Sequence, residues 1–218
     1  MKTAAHTRYR NKANEIVKGV TTVLRVGNLG GKTEALIRWS NNLGLQGTDS
    51  AKFRDEKGLI GDLAHDMIMN YLTEQVTDLS DFTQNQIEAA RYCYNDWWAW
   101  WQEEKTETIL AESPLVSEVF QFGGKLDHFG RKGDKHILDD WKTGFVSLDA
   151  YVQTCAYRYL LMENGYPAAD EIRIASLPRD SGESLKVYTI TNFEPGWQCF
   201  KLLLQCYELE PELKRILR

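Results

Sequence analysis

Two aspartates and a lysine in the middle of the chain are the residues whose types and spacing could do chemistry. Asp127 closes the segment 124–127, and Asp140 is followed two residues later by Lys142. Carboxylate oxygens bind hard divalent cations such as Mg²⁺ or Mn²⁺, and such a cation lowers the pKa of a bound water. A lysine beside the cation can orient a nucleophile and stabilise charge in the transition state. Together these residue types favour metal-dependent hydrolysis of a phosphodiester.

A β-hairpin should bring these residues together. The segments 124–130 and 135–141 read as short strands, and the four residues between them include a glycine, as a four-residue hairpin loop requires. A loop centred on Lys132 and Gly133 places Asp127 opposite Leu138 and diagonal to Asp140, with about 7–8 Å between the backbones. Both carboxylates then lie on one face of the hairpin. A shift of one residue would put Asp127 on the other face.

The order G-x-x-D, then D-x-K-T-G, then Q-x-x-x-Y resembles the RecB-like branch of the PD-(D/E)XK nucleases, which includes viral recombination exonucleases and CRISPR-associated nucleases. The third motif begins at Gln153 and ends at Tyr157, in a helix predicted from about 149 to 164. These two residues are four apart and share a helix face. The resemblance implies that they hold the DNA backbone near the metal.

The resemblance also implies a fold. It predicts an α/β protein with a restriction-endonuclease-like core, in which helices flank a mixed central sheet. We expect a single domain over 1–218, mainly helical over 1–110, with the catalytic core over 111–218.

Patterns of apolar and turn residues predict strands near 115–122, 124–130, 135–142, 171–177 and 185–190, with a turn over 178–183. They also predict a helix that Ser80 and Asp81 open and that runs to about Lys105, with tryptophans at a spacing typical of core packing. The C-terminal helix is predicted to reach about Glu208, with a separate short helix after Pro211.

Two upstream residues complete the predicted metal set, which is Asp127, Asp140, His65 and Glu118. The resemblance implies a helix that supplies a histidine to the metal, and His65 lies in a segment of helical periodicity. A histidine that only packs in the core is the alternative. Glu118 shares the face of a predicted strand with Val116 and Phe120, so its acid needs a partner. The metal or Lys142 would serve, and a structural ion pair is the alternative.

Two other classes of function remain open. The segment 27–33 resembles a phosphate-binding P-loop, but the first glycine should stand five residues before Gly31, where the chain has Val26. A nucleotide hydrolase is therefore the weaker alternative, and Lys32 could instead contact a DNA phosphate. A nucleic-acid-binding protein that keeps the fold and has lost cleavage would need a defect in the aspartate and lysine set, and none is visible.

Composition is ordinary for a soluble globular protein and argues against nonspecific DNA coating. The chain has 218 residues, of which 43% are hydrophobic and 26% charged, with a net charge of -5. DNA coating depends on positive charge. A local basic groove can still exist on an acidic protein, and we expect it at Lys125, Arg131, Lys132 and Lys142.

Cysteines and termini limit cofactors and compartment. Cys93, Cys155, Cys199 and Cys206 form no C-x-x-C pair, so we expect no zinc site and no disulfide framework. Some RecB-like nucleases hold an iron–sulfur cluster with one early cysteine and a late cysteine group. This chain departs from that arrangement, with only Cys199 and Cys206 late in the sequence, so we expect no cluster. The expected cofactor is Mg²⁺ or Mn²⁺. The polar start is no signal peptide and no membrane span is visible, so we expect a cytoplasmic protein of a bacterium or of a virus-infected cell. The expected partner is DNA, and the resemblance admits an annealing protein or further copies of the chain.

Overall fold

A computed structural model describes residues 8–178 and 182–217. The elements in chain order are β1 (Tyr9–Arg10), β2 (Ile16–Gly19), α1 (Val20–Leu24), a 3-10 turn (Leu29–Gly31), α2 (Lys32–Leu45), α3 (Ser50–Leu72), α4 (Gln84–Glu104), β3 (Glu107–Ser117), β4 (Phe122–Lys132), β5 (Lys135–Thr143), α5 (Leu148–Glu163), β6 (Glu171–Leu177), β7 (Lys186–Ile190) and α6 (Glu194–Ile216). None of the helices in this described part of the chain is long and apolar enough to cross a membrane.

The strands form one mixed sheet. Its order is β1-β2-β4-β5-β6-β7, with β3 paired to β4 beside this path. The pairs β2/β4 and β5/β6 are parallel, and the other pairs are antiparallel. The parallel pair β5/β6 is joined by α5, since parallel neighbours need a crossover connection. A mixed sheet flanked by helices confirms the predicted fold class.

Two apolar clusters cover the two faces of the sheet. One joins α1, α5 and α6 to residues such as Phe122, Phe129 and Leu138. The other joins α3 and α4 to Trp141 and to the end of β6. Trp97 and Trp101 belong to this second cluster, so most of the tryptophan-rich helix serves packing, as its spacing predicts. Strand β5 contributes to both clusters, through Leu138 and Trp141, whereas β4 contributes Phe122, Leu126 and Phe129 to the first.

The hairpin between β4 and β5 is tighter than predicted. Strand β4 ends at Lys132 and β5 begins at Lys135, so the loop has two residues. Its Gly133 takes a φ of 60°. A two-residue loop with positive φ is the commonest hairpin connection because its twist matches that of the strands. The register pairs Phe129, not Asp127, with Leu138. The predicted register is therefore wrong by two residues, an even number that leaves the faces unchanged.

Three other boundaries differ from the sequence prediction. The strand predicted over 115–122 ends at Ser117, and residues 118–121 form a turn. Helix α4 begins after Thr83 and not at the predicted Ser80 and Asp81, and Thr83 forms a capping box with Gln86. The C-terminal helix continues through Pro211, where the sequence predicts a break. The turn predicted over 178–183 lies partly outside the described residues.

Candidate active site

Asp127 and Asp140 meet at the point where β4 and β5 separate. The last paired residues are His128 and Asp139, and one further step of the same register sets Asp127 beside Asp140. Between Gly124 and His128, the side chains of β4 depart from strict alternation between the two faces of the sheet. A Cβ on Gly124 would meet Tyr157 of α5, whereas the ring of His128 contacts Trp101 of α4. Strict alternation would put both on one face.

Asp140 and Lys142 form a buried ion pair. Asp140 is fully buried, and Lys142 Nζ donates a hydrogen bond to its Oδ1 at 3.0 Å. Nζ also lies 2.8 Å from Oδ2, but this is an ionic contact, because Oδ2 accepts no hydrogen bond. Burial and the neighbouring Asp127 raise the pKa of Asp140 to about 6, although Lys142 acts in the opposite direction. The site thus holds a carboxylate oxygen with an unused lone pair.

The ammonium of Lys142 keeps its charge. Burial lowers its pKa, but Asp140 and Asp127 outweigh burial and raise the pKa above the ordinary value of lysine. The side chain is 29% exposed, so the group can reach a molecule outside the protein. Lys142 is therefore a fixed cation rather than a proton acceptor.

Asp127 is held as a carboxylate by two donors. Its Oδ2 accepts a hydrogen bond from the backbone N–H of Trp141 at 2.9 Å, and its Oδ1 lies 3.2 Å from His65 Nε2. Burial raises the pKa of Asp127, but His65, Lys142 and the Trp141 N–H together lower it to about 2. The pKa of His65 is lowered by burial and raised more strongly by Asp127, with a net increase.

The histidine reaches the sheet because α3 passes close to the end of β5. A Cβ on Gly61 would lie 2.5 Å from Thr143 Oγ1, so glycine permits this approach. His65 follows one turn later and packs edge-on against Trp141, with ring centroids 6.3 Å apart. The structure thus brings His65 to the aspartates, as the sequence predicts.

Glu112, which the sequence did not single out, also borders the site. Its Oε1 lies 3.8 Å from His65 Nδ1 and accepts a hydrogen bond from Lys125 Nζ at 2.8 Å. Glu112 has a φ of 47°, which is uncommon for a residue other than glycine. This conformation distorts β3 opposite Asp127, without ending the strand. No motif marks the position, and only the fold reveals it.

Gln153 and Tyr157 lie together on α5, as predicted. Gln153 Nε2 donates a hydrogen bond to the Tyr157 hydroxyl at 2.7 Å. Burial raises the pKa of Tyr157 well above its usual value, so the hydroxyl remains neutral. The contact with Tyr157 explains the glycine of the G-x-x-D motif, because a Cβ on Gly124 would lie 2.4 Å from the tyrosine ring.

A cavity of about 430 Å³ opens beside these residues. Its lining includes Arg25, Lys32, Lys142, Phe145 and Gln153. The glycine-rich segment 27–33, which resembles a P-loop, forms one wall of the cavity. It follows a helix, α1, where a P-loop would follow a strand, and Lys32 forms an ion pair with Asp149 at 2.5 Å. The structure does not support a nucleotide-binding loop.

The expected basic groove is less basic than its residues suggest. Each of its four cations has a carboxylate partner: Lys125 with Glu112, Arg131 with Glu107, Lys132 with Glu104, and Lys142 with Asp140. Arg25 and Lys32 line the cavity beside the site, and the sequence analysis assigned neither to the groove.

Glu118 does not lie with the other predicted residues. It stands in the turn after β3, where its Oε1 accepts a hydrogen bond from the backbone N–H of Lys12 at 2.8 Å. It borders a different cavity, together with Glu163. The prediction that a strand aims Glu118 at the metal is wrong, because the strand ends at Ser117.

The donor types suit a hard cation, but they are not assembled around one point. In the described part of the chain no three His, Cys, Asp or Glu side chains are grouped to hold a metal ion. Asp127 Oδ1 is turned to His65, and Asp140 is turned to Lys142. The oxygen that fits a metal is Asp140 Oδ2, which is buried and accepts no hydrogen bond. The Lys142 ammonium, 2.8 Å away, offsets part of the cost of burying this oxygen, and a bound cation would offset more of it.

Comparisons with known proteins yield solved structures alone. No family model matches the chain, and no curated protein matches it. A candidate exonuclease from Eubacterium rectale is 14% identical with a TM-score of 0.46, and the match covers 73% of this chain and 66% of that one. The match thus spans slightly less than two thirds of that protein. The nuclease LHK-Exo, solved in complex with dAMP, is 13% identical with a TM-score of 0.36, and the match covers 71% of this chain and 82% of that one.

Proposed function

We propose that the chain is a metal-dependent DNA nuclease of the PD-(D/E)XK type, an exonuclease that acts in recombination, repair or phage replication. One observation carries the proposal: the hairpin places Asp127, Asp140 and Lys142 together, with a buried Asp140 oxygen that accepts no hydrogen bond. Surface charges seldom converge in this way, because burying charged groups is costly unless they are paired or bind a metal.

Asp127 and Asp140 would hold Mg²⁺ or Mn²⁺, with His65 beside them. When bound, the cation would act as a Lewis acid on the phosphate and lower the pKa of a bound water. His65 orients Asp127, since its Nε2 lies 3.2 Å from Oδ1. The low pKa of Asp127 keeps this carboxylate charged at any pH where DNA is stable. Glu118 has no part in the proposed site.

Lys142 would stabilise the charge that develops on the phosphate oxygens. Its raised pKa keeps the ammonium protonated, and its partial exposure lets it face the substrate. Gln153 lines the same cavity as Lys142 and is oriented by Tyr157. An amide fixed in this way can donate or accept a hydrogen bond at the DNA backbone. Both proposed roles are based on the positions of Lys142 and Gln153, which line the same cavity.

The deciding experiment uses end-labelled linear DNA and covalently closed circular DNA, each incubated with Mg²⁺, Mn²⁺ or EDTA. We expect loss of the linear DNA with either metal, none with EDTA, and none with Asp140→Ala. Cleavage of circular DNA would identify an endonuclease instead. No cleavage of either DNA in any metal would refute the enzymatic proposal and favour a nucleic-acid-binding protein.

A lysine pair tests the role of Lys142. Lys142→Ala should retain Mn²⁺ and DNA binding and lower turnover by roughly 10²–10³-fold, the usual cost of losing one charge-stabilising group. Lys135→Ala is the matched control, because Lys135 lies at the other end of β5 and is 62% exposed. Normal turnover in Lys142→Ala would contradict the assigned role.

A further inference from the structure

A second cavity adjoins the one beside Lys142, and Phe145 lines both. It measures about 370 Å³, and its lining includes Phe145, Ser176, Lys186 and Tyr188. Phe145 lines both cavities, and Lys142 lines the first, so the second cavity adjoins the space beside Lys142 at this residue. The proposed chemistry uses none of these four residues.

The register of the sheet fixes this cavity relative to the aspartates. Asp140 pairs with Ile174, which pairs with Tyr188. In the next row, Lys142 pairs with Ser176, which pairs with Lys186. Paired residues share a face of the sheet. Neighbouring strands lie about 4.8 Å apart, so the backbones of Lys142 and Lys186 are separated by roughly 10 Å on one face.

The exposure of Phe145 is unusual for an aromatic residue. Four described aromatic side chains are more than two-fifths exposed, and Phe145, at 91%, far exceeds Tyr71, Trp98 and Tyr188. The loop that carries it is held in place: Ser176 Oγ donates to the Gly144 carbonyl at 2.6 Å, and the Gly144 N–H donates to the Leu177 carbonyl. An aromatic ring is therefore presented to solvent from an anchored backbone.

We infer that Phe145, Tyr188 and Lys186 form a subsite for unpaired nucleotides of a single-stranded nucleic acid, whose backbone passes on to Lys142. Proteins bind single strands by combining aromatic rings, on which bases stack, with cations that follow the phosphates. In a duplex the bases already stack on each other and their faces are closed. The subsite therefore selects a frayed or single-stranded end. Glu183 also borders the cavity, and its charge opposes the binding of phosphate.

The inference rests on the proposed function, because a single-strand subsite has a purpose here only if the chain is a nuclease. Its test measures binding and does not need cleavage. Binding is measured in EDTA by fluorescence anisotropy, with a labelled 12-nucleotide single strand and a blunt duplex of the same sequence. The dissociation constant of Phe145→Ala for the single strand should rise by about 5- to 150-fold, the loss expected for one stacked base. Phe145→Trp should restore binding. The duplex should show a smaller change.

Three variants sharpen the result. Trp98→Ala is the matched control, because Trp98 is exposed and lines neither cavity, and it should bind like the wild type. Tyr188→Leu should weaken binding of the single strand. Lys186→Gln should reduce the slope of log affinity against log salt concentration by about 0.7, the value for one phosphate contact in a single strand. A 2-aminopurine base near the end should lose fluorescence on binding, and less so in Phe145→Ala.

The outcomes separate this inference from the proposed function. Binding of the single strand within twofold of wild type in both Phe145→Ala and Tyr188→Leu would overturn the inference. An equal loss for duplex and single strand would also overturn it, since unpaired bases would then not be the ligand. Neither result bears on metal-dependent cleavage, which is read with the Asp140→Ala control. An enzyme without cleavage could still show the subsite in EDTA.

Discussion

Replacement of Arg173 by methionine should destabilise the protein strongly, because it leaves a buried carboxylate without its main partner. Arg173 is 5% exposed, and Asp139 is 1% exposed. The guanidinium donates to Asp139 from Nε at 2.6 Å and from Nη2 at 3.0 Å, and it also pairs with Glu104. His128 Nδ1, 2.9 Å from Asp139, would be the remaining neighbour. Breaking a buried pair of this kind costs about 3–5 kcal/mol.

That cost is a large share of the stability of a domain, which is about 5–15 kcal/mol. For a chain of this length about 2–4 °C of melting temperature corresponds to 1 kcal/mol, so Arg173→Met should melt roughly 6–20 °C below wild type. Urea unfolding followed by tryptophan fluorescence measures the free energy, since Trp97 and Trp101 are buried. Arg131→Met is the control, because the Arg131–Glu107 pair is exposed and worth at most about 1 kcal/mol.

A double variant isolates the cause. Arg173→Met with Asp139→Leu removes both charges, and replacing a buried pair by apolar residues is often neutral. The double variant should therefore recover part of the stability lost in Arg173→Met. A loss in Arg173→Met no larger than in Arg131→Met would refute the reasoning, and so would a double variant less stable than the single one.

Three further perturbations have expected outcomes. Gly124→Ala should cost about 1–3 kcal/mol in urea unfolding, because its Cβ would overlap the Tyr157 ring; a cost near zero would contradict the close packing. Thr83→Ala should cost about 0.5–2 kcal/mol by removing the helix cap, whereas Thr83→Ser should not. Burial raises the pKa of Asp139, but His128 and Arg173 outweigh it and lower the pKa. Its contribution to stability is therefore present above an unfolded pKa of about 3.9 and lost as the pH falls through the lowered folded value, so the difference between wild type and Asp139→Asn should shrink below about pH 4 in an acid titration.

The sequence predicted which candidate residues come together better than it predicted the contacts that position them. The spacing of Asp127, Asp140 and Lys142 predicted a hairpin with the carboxylates together, and the register error of two residues did no harm because side chains repeat every two. The error arose from the loop. A four-residue loop and a two-residue loop both fit the residues around Gly133, and only the positive φ of that glycine selects the shorter one.

Glu118 and Glu112 show why the rest could not be predicted. Alternation over 116–122 put Glu118 on a covered face, but the chain turns after Ser117, so the pattern does not continue along one strand. Glu112 lies in a strand, yet its backbone departs from the extended region, and this departure brings it near His65. Local sequence carries little information about such a distortion, which tertiary contacts impose. The pairing of Asp139 with Arg173 is equally nonlocal, at 34 residues apart.

Helix α2 contributes no buried side chain, although it forms a wall of the cavity beside Lys142. Its attachments are polar or peripheral: the hydrogen bonds of Asn28, the pair of Lys32 with Asp149, and the contact of Trp39 with Phe53. Few buried apolar contacts mean a low free energy for local opening. The aspartates are thus set in the rigid sheet, whereas the width of their approach is set by the least firmly anchored of the long helices. A displacement of α2 would therefore change the width of this cavity without moving the aspartates.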